Sequence, residues 1–410
     1  MGDPDKARPV MPLKIQVLNQ IAESGLSRLP PPAYLVGADI EAPDAILLRS
    51  ADLHHTPIAD SVCAIARAGA GTNNIPVNAM SARGIPVFNA PGANANAVKE
   101  LVLAGMLMSA RRLPQALAFI DDLAVKAGQI DPRALEQRVE AGKKSFAGIE
   151  LAGRRLGVIG LGRIGCLVAD AAIHLGMQVT GFDPNITVES AWSLPSQVRR
   201  AVSVGDLVRS SDFVTIHVPL VDATRHLINA ERLAMARPAA VLLNFSREAV
   251  VDVGAVLAAL ESGRLASYVC DFPDAALIGH PQVILLPHLG ASTQEAEENC
   301  AVMVVDQLRD YLENGNVCNA VNFPDMVALR ESEFRLAIAN ANVPNMLGQI
   351  STEMARAGLN IHNMLNRSRG EMAYTLVDVD SPVPAQVLDA LTAIEGVLSV
   401  RYLPARPDKA

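Results

Sequence analysis

Three glycines, Gly160, Gly162 and Gly165, stand in the spacing G-x-G-x-x-G directly after the apolar run Leu156–Ile159 and ahead of a helical pattern. In that setting the first glycine permits a tight turn, the second lets backbone approach a pyrophosphate, and the third lets helix pack close on strand. Arg163 and Ile164 fill the positions between the last two. They open a helix whose unpaired N–H groups and peptide dipoles favour negative charge. The next apolar run ends at Asp183, 21 residues beyond Gly162, close to the ~20 expected of a ribose-binding acid. A carboxylate there accepts from both ribose hydroxyls and repels a 2′-phosphate, so the expected cofactor is NAD rather than NADP. Further on, polar groups follow the ends of other apolar runs: Arg247 after Ala240–Ser246, Asp271 and Asp274 around the end of Tyr268–Phe272, and His288 after Val283–Leu286. An Arg fork can hold a carboxylate and the neighbouring carbonyl together. A His can exchange a proton with a C2 oxygen while hydride moves to nicotinamide, and an acid beside it would fix its tautomer. Singly, each of these is more often a surface charge or a turn residue. Placed jointly on one edge of a nucleotide-binding sheet, they point to an oxidoreductase. His54, His55, His174, His226, His280 and His362 have no comparable setting and read as structural or exposed.

The elements that would position these groups are legible as a repeating strand–helix beat. Candidate strands are Arg155–Ile159, Gln178–Phe182, Phe213–Val218, Ala240–Phe245, Tyr268–Phe272 and Val283–Leu286, with helices such as Ile164–Leu175 and Val253–Glu261 between them. Their continuous apolar runs suit parallel strands covered on both faces, hence a doubly wound sheet whose ligands lie beyond the strands' carboxyl ends. Before it, Ala45–Arg49, Val62–Ala66 and Ile85–Asn89 suggest a smaller α/β unit, followed by a long apolar helix from Glu100 to Ala118. After it comes the amphipathic helix Gln294–Glu313, ended by Asn314-Gly315. Beyond a linker at 319–332 the pattern becomes βαββαβ, which folds as a four-stranded antiparallel sheet with both helices on one face. About 75 residues of this kind can stand as an independent domain.

Composition sets the outer bounds. The chain has 410 residues, half of them hydrophobic and 19% charged, enough for two or three packed domains. A net charge of −8 offers no footprint for nucleic acid or anionic membrane. The front apolar stretch Leu101–Met108 falls far short of a bilayer crossing. Residues 1–12, with mixed charge and three prolines, read as a disordered N-terminus rather than a secretory signal. Cys63, Cys166, Cys270, Cys300 and Cys318 are an odd set without close pairs, which fits reduced thiols and no metal site. The expectation is a cytoplasmic, multi-domain protein.

Several stretches in order carry a resemblance: Arg49-Ser50, AGAGTNNI at Ala68–Ile75, ARGIPVFNAPGAN at Ala82–Asn94, GRRLGVIGLGRIG, HVPL at His217–Leu220, NFSR at Asn244–Arg247 and PHLGAST at Pro287–Thr293. Through them the chain resembles the D-2-hydroxyacid dehydrogenase family, in the branch that oxidises 3-phospho-D-glycerate and carries a C-terminal ACT domain. The resemblance implies a flavodoxin-like α/β substrate domain formed by residues 13–99 and 286–318, with a Rossmann-type NAD domain inserted at 100–285 and an ACT (ferredoxin-like) domain at 333–405. It implies that substrate lies in a cleft closed by hinge motion. By matching position, Arg247 would grip the substrate carboxylate and keto group, and His288 would be the general acid/base. Arg49, Ser50 and Asn94 would meet the phosphorylated end, and the Gly71 backbone the carboxylate. His217, Pro219, Asn244, Ser246 and Asp271 would join the glycine loop and Asp183 around NAD, with Asp271 facing the nicotinamide amide.

Departures from the family pattern are specific. Where relatives read D-V-F-x-x-E-P, this chain has Asp271-Phe-Pro-Asp274-Ala-Ala, so the Glu partner of the His is absent and Asp274 is the expected substitute. Ala51 and Asn96 stand where related enzymes often carry arginines, and Lys143 and Lys144 are candidates to compensate. In the tail, Asn342 and Asn360 fall on the two positions that contact amino-acid effectors in serine-inhibited relatives, while Asn340 replaces a His. L-serine is therefore the expected effector, the alternative being a tail used only for assembly. A homo-oligomer, dimer or tetramer, is expected. Other functions kept open are a dehydrogenase of hydroxypyruvate, glyoxylate or 2-oxoglutarate, and a non-enzymatic NAD-sensing protein like the corepressors of this fold.

Overall fold

The computed structural model describes residues 11–126 and 131–404. Residues 1–10 of the expected disordered N-terminus, and residue 405 at the end of the expected tail domain, lie outside the described residues. The chain divides into two compact units, one from Ala95 to Thr293, the other combining the chain up to Asn94 with everything from Gln294 onward.

The nucleotide-type unit is built on a wholly parallel seven-stranded sheet. Strands β1–β5 belong to the other unit, so its own strands are β6 (Arg155–Ile159), β7 (Gln178–Phe182), β8 (Arg199–Arg200), β9 (Phe213–Ile216), β10 (Ala240–Asn244), β11 (Leu265–Cys270) and β12 (Val283–Leu285). Their order, β12-β11-β10-β9-β6-β7-β8, reverses between β6 and β9, and such a switch point opens a crevice at the carboxyl ends. Val158, Ile159, Phe213, Leu242 and Val269 are almost fully buried, as strands covered by helices on both faces require. The long helix expected over Glu100–Ala118 is two helices, Ala95–Ala110 and Leu113–Lys126. Pro114 has no N–H to donate back to the Ala110 carbonyl, which accepts from Ile149 N at 2.9 Å instead. Arg112, at φ 50°, makes the break.

In the other unit, β1 (Leu13–Leu18), β2 (Tyr34–Gly37), β3 (Ala45–Leu48), β4 (Ala64–Arg67) and β5 (Val87–Phe88) form a parallel sheet in the flavodoxin-like order β2-β1-β3-β4-β5. The helix Gln294–Asn314 returns across it, burying Ala301, Val304, Leu308 and Tyr311 in the same cluster as Ile15, Leu47 and Phe88. The tail strands β13 (Phe334–Ala341), β14 (Ile361–Arg369), β15 (Met372–Val379) and β16 (Val397–Pro404) form the antiparallel sheet β14-β15-β13-β16, an ACT-like βαββαβ fold. Helices Met346–Arg356 and Ala385–Thr392 cover one face through Ile350, Met354, Val387 and Leu391. The other face is covered too: Ala337, Ala339, Met372, Tyr374 and Leu376 share the cluster of Phe88 and Tyr311. The stretch expected as a linker is packed, with Phe323 and Met326 buried and Val317 bridged to Met326. All five cysteines are free thiols. Among the described residues no helix is long and apolar enough to cross a membrane.

Candidate active site

The cofactor half begins at the glycine turn. Gly160 follows β6 at φ 90°, and a Cβ there would lie 2.6 Å from the His217 carbonyl. A Cβ on Gly165 would meet the Gly160 carbonyl at 1.9 Å, so helix Arg163–His174 can approach β6 only with glycine there. At Gly162, the helix N-cap, a Cβ would meet nothing within 4 Å. Open space in front of a helix N-terminus is what a pyrophosphate needs. Asp183 closes the turn: Oδ2 accepts from Leu161 N at 2.8 Å and Oδ1 from Asn185 N at 2.9 Å. Each carboxylate oxygen keeps capacity for a ribose hydroxyl. Arg163 pairs with Glu189 at 3.5 Å, and Ile164 leans into the apolar cluster behind the helix.

Across the switch point, His217 follows β9. Its Nε2 lies 2.9 Å from Thr215 Oγ1, while Nδ1 is sealed from solvent with no protein partner. Burial holds the ring's pKa down to about 3, so it is neutral. Pro219 is exposed and its carbonyl accepts from Thr224 Oγ1 at 2.6 Å. An open N-terminal turn, a carboxylate at the second strand's end and an orphaned buried imidazole nitrogen together fit a dinucleotide.

The reactive half sits on the loops after β10, β11 and β12. Fully buried Asn244 folds the first: its Oδ1 accepts from Ser246 N and Oγ, and its Nδ2 donates to the Arg247 carbonyl at 3.0 Å. Arg247 emerges exposed, with Nη1 donating to the Ser246 carbonyl at 2.6 Å. His288 is also exposed, in the left-handed region at φ 58°, its ring tilted against Phe272 at 5.1 Å. Asp271 fixes that conformation: Oδ1 accepts from Leu289 N at 2.7 Å and Oδ2 from Gly290 N at 2.8 Å. The sequence pointed Asp271 at the nicotinamide amide; here both its oxygens clamp the loop that presents His288. Asp274 does not reach His288. Its Oδ1 accepts from Ala276 N at 2.8 Å, capping its own turn, and among the described residues no hydrogen bond or ion pair joins the two. Tyr268, buried on β11, pairs in register with Leu242 of β10, and burial pushes its phenol's pKa up.

The residues assigned to the phosphorylated end lie in the other unit. Asn74 Nδ2 donates to the carbonyls of Arg49 and Ala51, and Asn19 Oδ1 accepts from Ser50 N and Ala51 N, so the Arg49-Ser50 turn is held on both sides. Gly71 and Asn94 are half-buried. Arg67, missed in the sequence, ends β4 and donates from Nε to the Arg49 carbonyl at 3.0 Å. The rule that found Arg247, a cation at a parallel strand's carboxyl end, would have found it. Asn96 bonds Glu100, and Lys143 pairs with Glu140 one turn back on its own chain segment. In the tail, Asn342 closes a hairpin through Gly370 O, Asn360 is exposed, and Asn340 is buried with Oδ1 unpartnered.

Residues 104–290 match the family described as D-isomer specific 2-hydroxyacid dehydrogenase, NAD binding domain. The D-3-phosphoglycerate dehydrogenase of Haemophilus influenzae is 34% identical over 346 residues, covering 81% of this chain and 79% of that one. The chain belongs to the D-2-hydroxyacid dehydrogenase family. The corresponding enzyme of Escherichia coli matches to the same extent. A Thermus thermophilus protein of solved structure superimposes with a TM-score of 0.60 at 27% identity, over 75% of this chain and 99% of that one. As a member of the family, the chain is an NAD-dependent oxidoreductase acting on a small-molecule substrate.

Proposed function

We propose that the enzyme oxidises 3-phospho-D-glycerate to 3-phosphohydroxypyruvate, the first step of L-serine synthesis. NAD, held at the glycine turn and Asp183, would supply the acceptor for the hydride from C2. Arg247 holds the substrate carboxylate and C2 oxygen as a fork. His288 takes the C2 hydroxyl proton as a general base, and returns it in the reverse direction. Arg49, Ser50 and Asn94 receive the phosphate, with the Gly71 backbone at the carboxylate. Gly160, Gly162, Arg163, Ile164 and Gly165 hold the pyrophosphate, and Asp183 the ribose. Around the nicotinamide end stand His217, Pro219, Asn244 and Ser246, with Asp271 supporting from behind His288. Asp274 contributes no partner to His288, so its removal costs little. The observation that carries this reading is the Asp271 clamp, because a carboxylate buried on the two N–H groups after an exposed histidine serves presentation of that histidine. The named activity of relatives at 34% identity supports the choice of substrate.

We propose also that the chain works as a homo-oligomer, and that L-serine bound at the tail near Asn340, Asn342 and Asn360 inhibits it. The test is steady-state NADH oxidation with 3-phosphohydroxypyruvate and with hydroxypyruvate, each with and without L-serine. Preference for the phosphorylated substrate, abolished by Arg49→Ala and with turnover lost in His288→Ala, is expected. Equal use of both substrates overturns the substrate assignment, and no turnover of either overturns the enzymatic one. A rate unmoved by millimolar L-serine retires the effector.

A further inference from the structure

Two guanidiniums stand at neighbouring strand ends in the unit that carries the phosphate-end residues. Arg49 follows β3, Arg67 ends β4, and they are linked by the 3.0 Å bond from Arg67 Nε to the Arg49 carbonyl. A site meant only to attract a phosphate dianion would leave this pair bare. A carboxylate stands with them instead: Glu297, in the first turn of helix Gln294–Asn314, meets Arg49 Nη1 at 2.7 Å. Arg67, Arg49 and Glu297 are thus linked in one chain of contacts, with the buried Cys300 thiol one turn along the same helix. Acids are common at helix N-termini because they complement the dipole. Glu295, in the same turn, supplies that complement, and among the described residues no ion pair joins it to Arg49, so the dipole does not account for Glu297's contact with Arg49.

We propose that Glu297 is a specificity-determining residue: a built-in counter-anion that holds Arg49 in the free enzyme and yields it to the phosphate of the substrate. This rests on the phosphorylated-substrate reading above. A phosphate dianion with three acceptor oxygens outcompetes a monoanionic carboxylate for a guanidinium fork. A substrate lacking phosphate cannot, and leaves the pair closed. Affinity for the phosphorylated substrate is thereby held below what the two arginines alone would give, and weak anions are kept off the site.

The experiment compares wild type with Glu297→Gln, which keeps shape and removes charge, and with Glu295→Gln as a control on general helix electrostatics. KM is measured for 3-phosphohydroxypyruvate and hydroxypyruvate, together with competitive inhibition by inorganic phosphate. In Glu297→Gln, KM for the phosphorylated substrate should fall about 3- to 10-fold, as expected for removing a like charge a few ångströms away at a half-exposed site. Inhibition by phosphate should tighten in step, and KM for hydroxypyruvate should stay within about twofold. An unchanged or raised KM for the phosphorylated substrate overturns the proposal, as does a parallel change for both substrates or an equal effect in Glu295→Gln. Wild type without preference for the phosphorylated substrate overturns the substrate reading, and this inference with it.

Discussion

His288 sits at φ 58°, a conformation that costs a non-glycine residue of order 1 kcal/mol or more unless its surroundings enforce it. Asp271 enforces it with two charge-assisted bonds to the next two N–H groups. Asp271→Asn presents an NH2 to one of those donors, so the loop must shift. A misplacement of roughly 1 Å can cost on the order of 10²-fold in rate, and kcat should fall by about that much while the Kd for NADH, read by fluorescence, stays within about twofold. A raised Kd with kcat little changed would return Asp271 to the nicotinamide amide. His217 gives a pH prediction. Its folded pKa of about 3 lies below the ordinary 6.5, so the unfolded chain binds the extra proton, and stability contributed by the neutral ring is full above pH 6.5 and lost as pH falls toward 3. At pH 5 the loss reaches up to about 2 kcal/mol. Urea midpoints between pH 8 and pH 5 should drop less in His217→Gln than in wild type.

At the scale of elements, one helix end shows what local sequence conceals. Beyond the bond from Gly315 N to Tyr311 O at 2.9 Å, arginines further along the chain donate to the last carbonyls of Gln294–Asn314: Arg401 to Tyr311 O and Leu312 O, Arg330 to Glu313 O, and Arg335 to Asn314 O. Positive charge at a helix C-terminus is favoured on its own account. Arg401 also lies 4.5 Å over the Tyr311 ring. Arg401→Met, which keeps the apolar stem, should lower stability by about 2–3 kcal/mol in denaturant titration, through two lost charged hydrogen bonds and the cation–π contact. A change under ~0.5 kcal/mol would reduce these contacts to surface decoration. Most strands of the two parallel sheets and the βαββαβ tail were legible because each is a local apolar period bounded by turn residues, whereas β1, β2 and the two-residue β8 were not read from the sequence. The Gly160–Gly165 turn and Asp183 were legible for the same reason: spacing alone defines them. The break at Arg112 was not, since it depends on Ile149 capturing a carbonyl nearly forty residues away in sequence. Nor were the Asp271 clamp, Arg67 beneath Arg49, or Asp274's turn toward Ala276, because hydrogen-bond partners across loops leave no period in the chain.

For the whole unit that begins at β1, the same logic makes the tail part of the core. Read as sequence, β13 to β16 and their helices could fold apart from the rest. In the structure, Tyr374 donates to Gly315 O at 2.7 Å, Phe323 meets its ring edge-on at 5.6 Å, and Arg335, almost wholly buried, holds Asp378 bidentately while reaching the carbonyls of Asn314, Ala328 and Leu329. Cutting the chain after Ser332 would uncover Phe323, Tyr311 and the apolar atoms around them, each large side chain losing about 1.5–3 kcal/mol of burial. It would also leave three helix-end carbonyls, those of Tyr311, Leu312 and Asn314, without their arginine partners. Several such losses together exceed the marginal stability of a domain. The truncated chain should therefore be insoluble or rapidly proteolysed within residues 11–94 and 294–332, whereas full-length protein resists. A truncated chain that is soluble, protease-resistant and active with unaltered KM would mean that the second covered face of the tail sheet adds nothing to folding. Retained solubility with a raised KM for the phosphorylated substrate would instead locate the tail's contribution in holding helix Gln294–Asn314, and with it Glu297 beside Arg49.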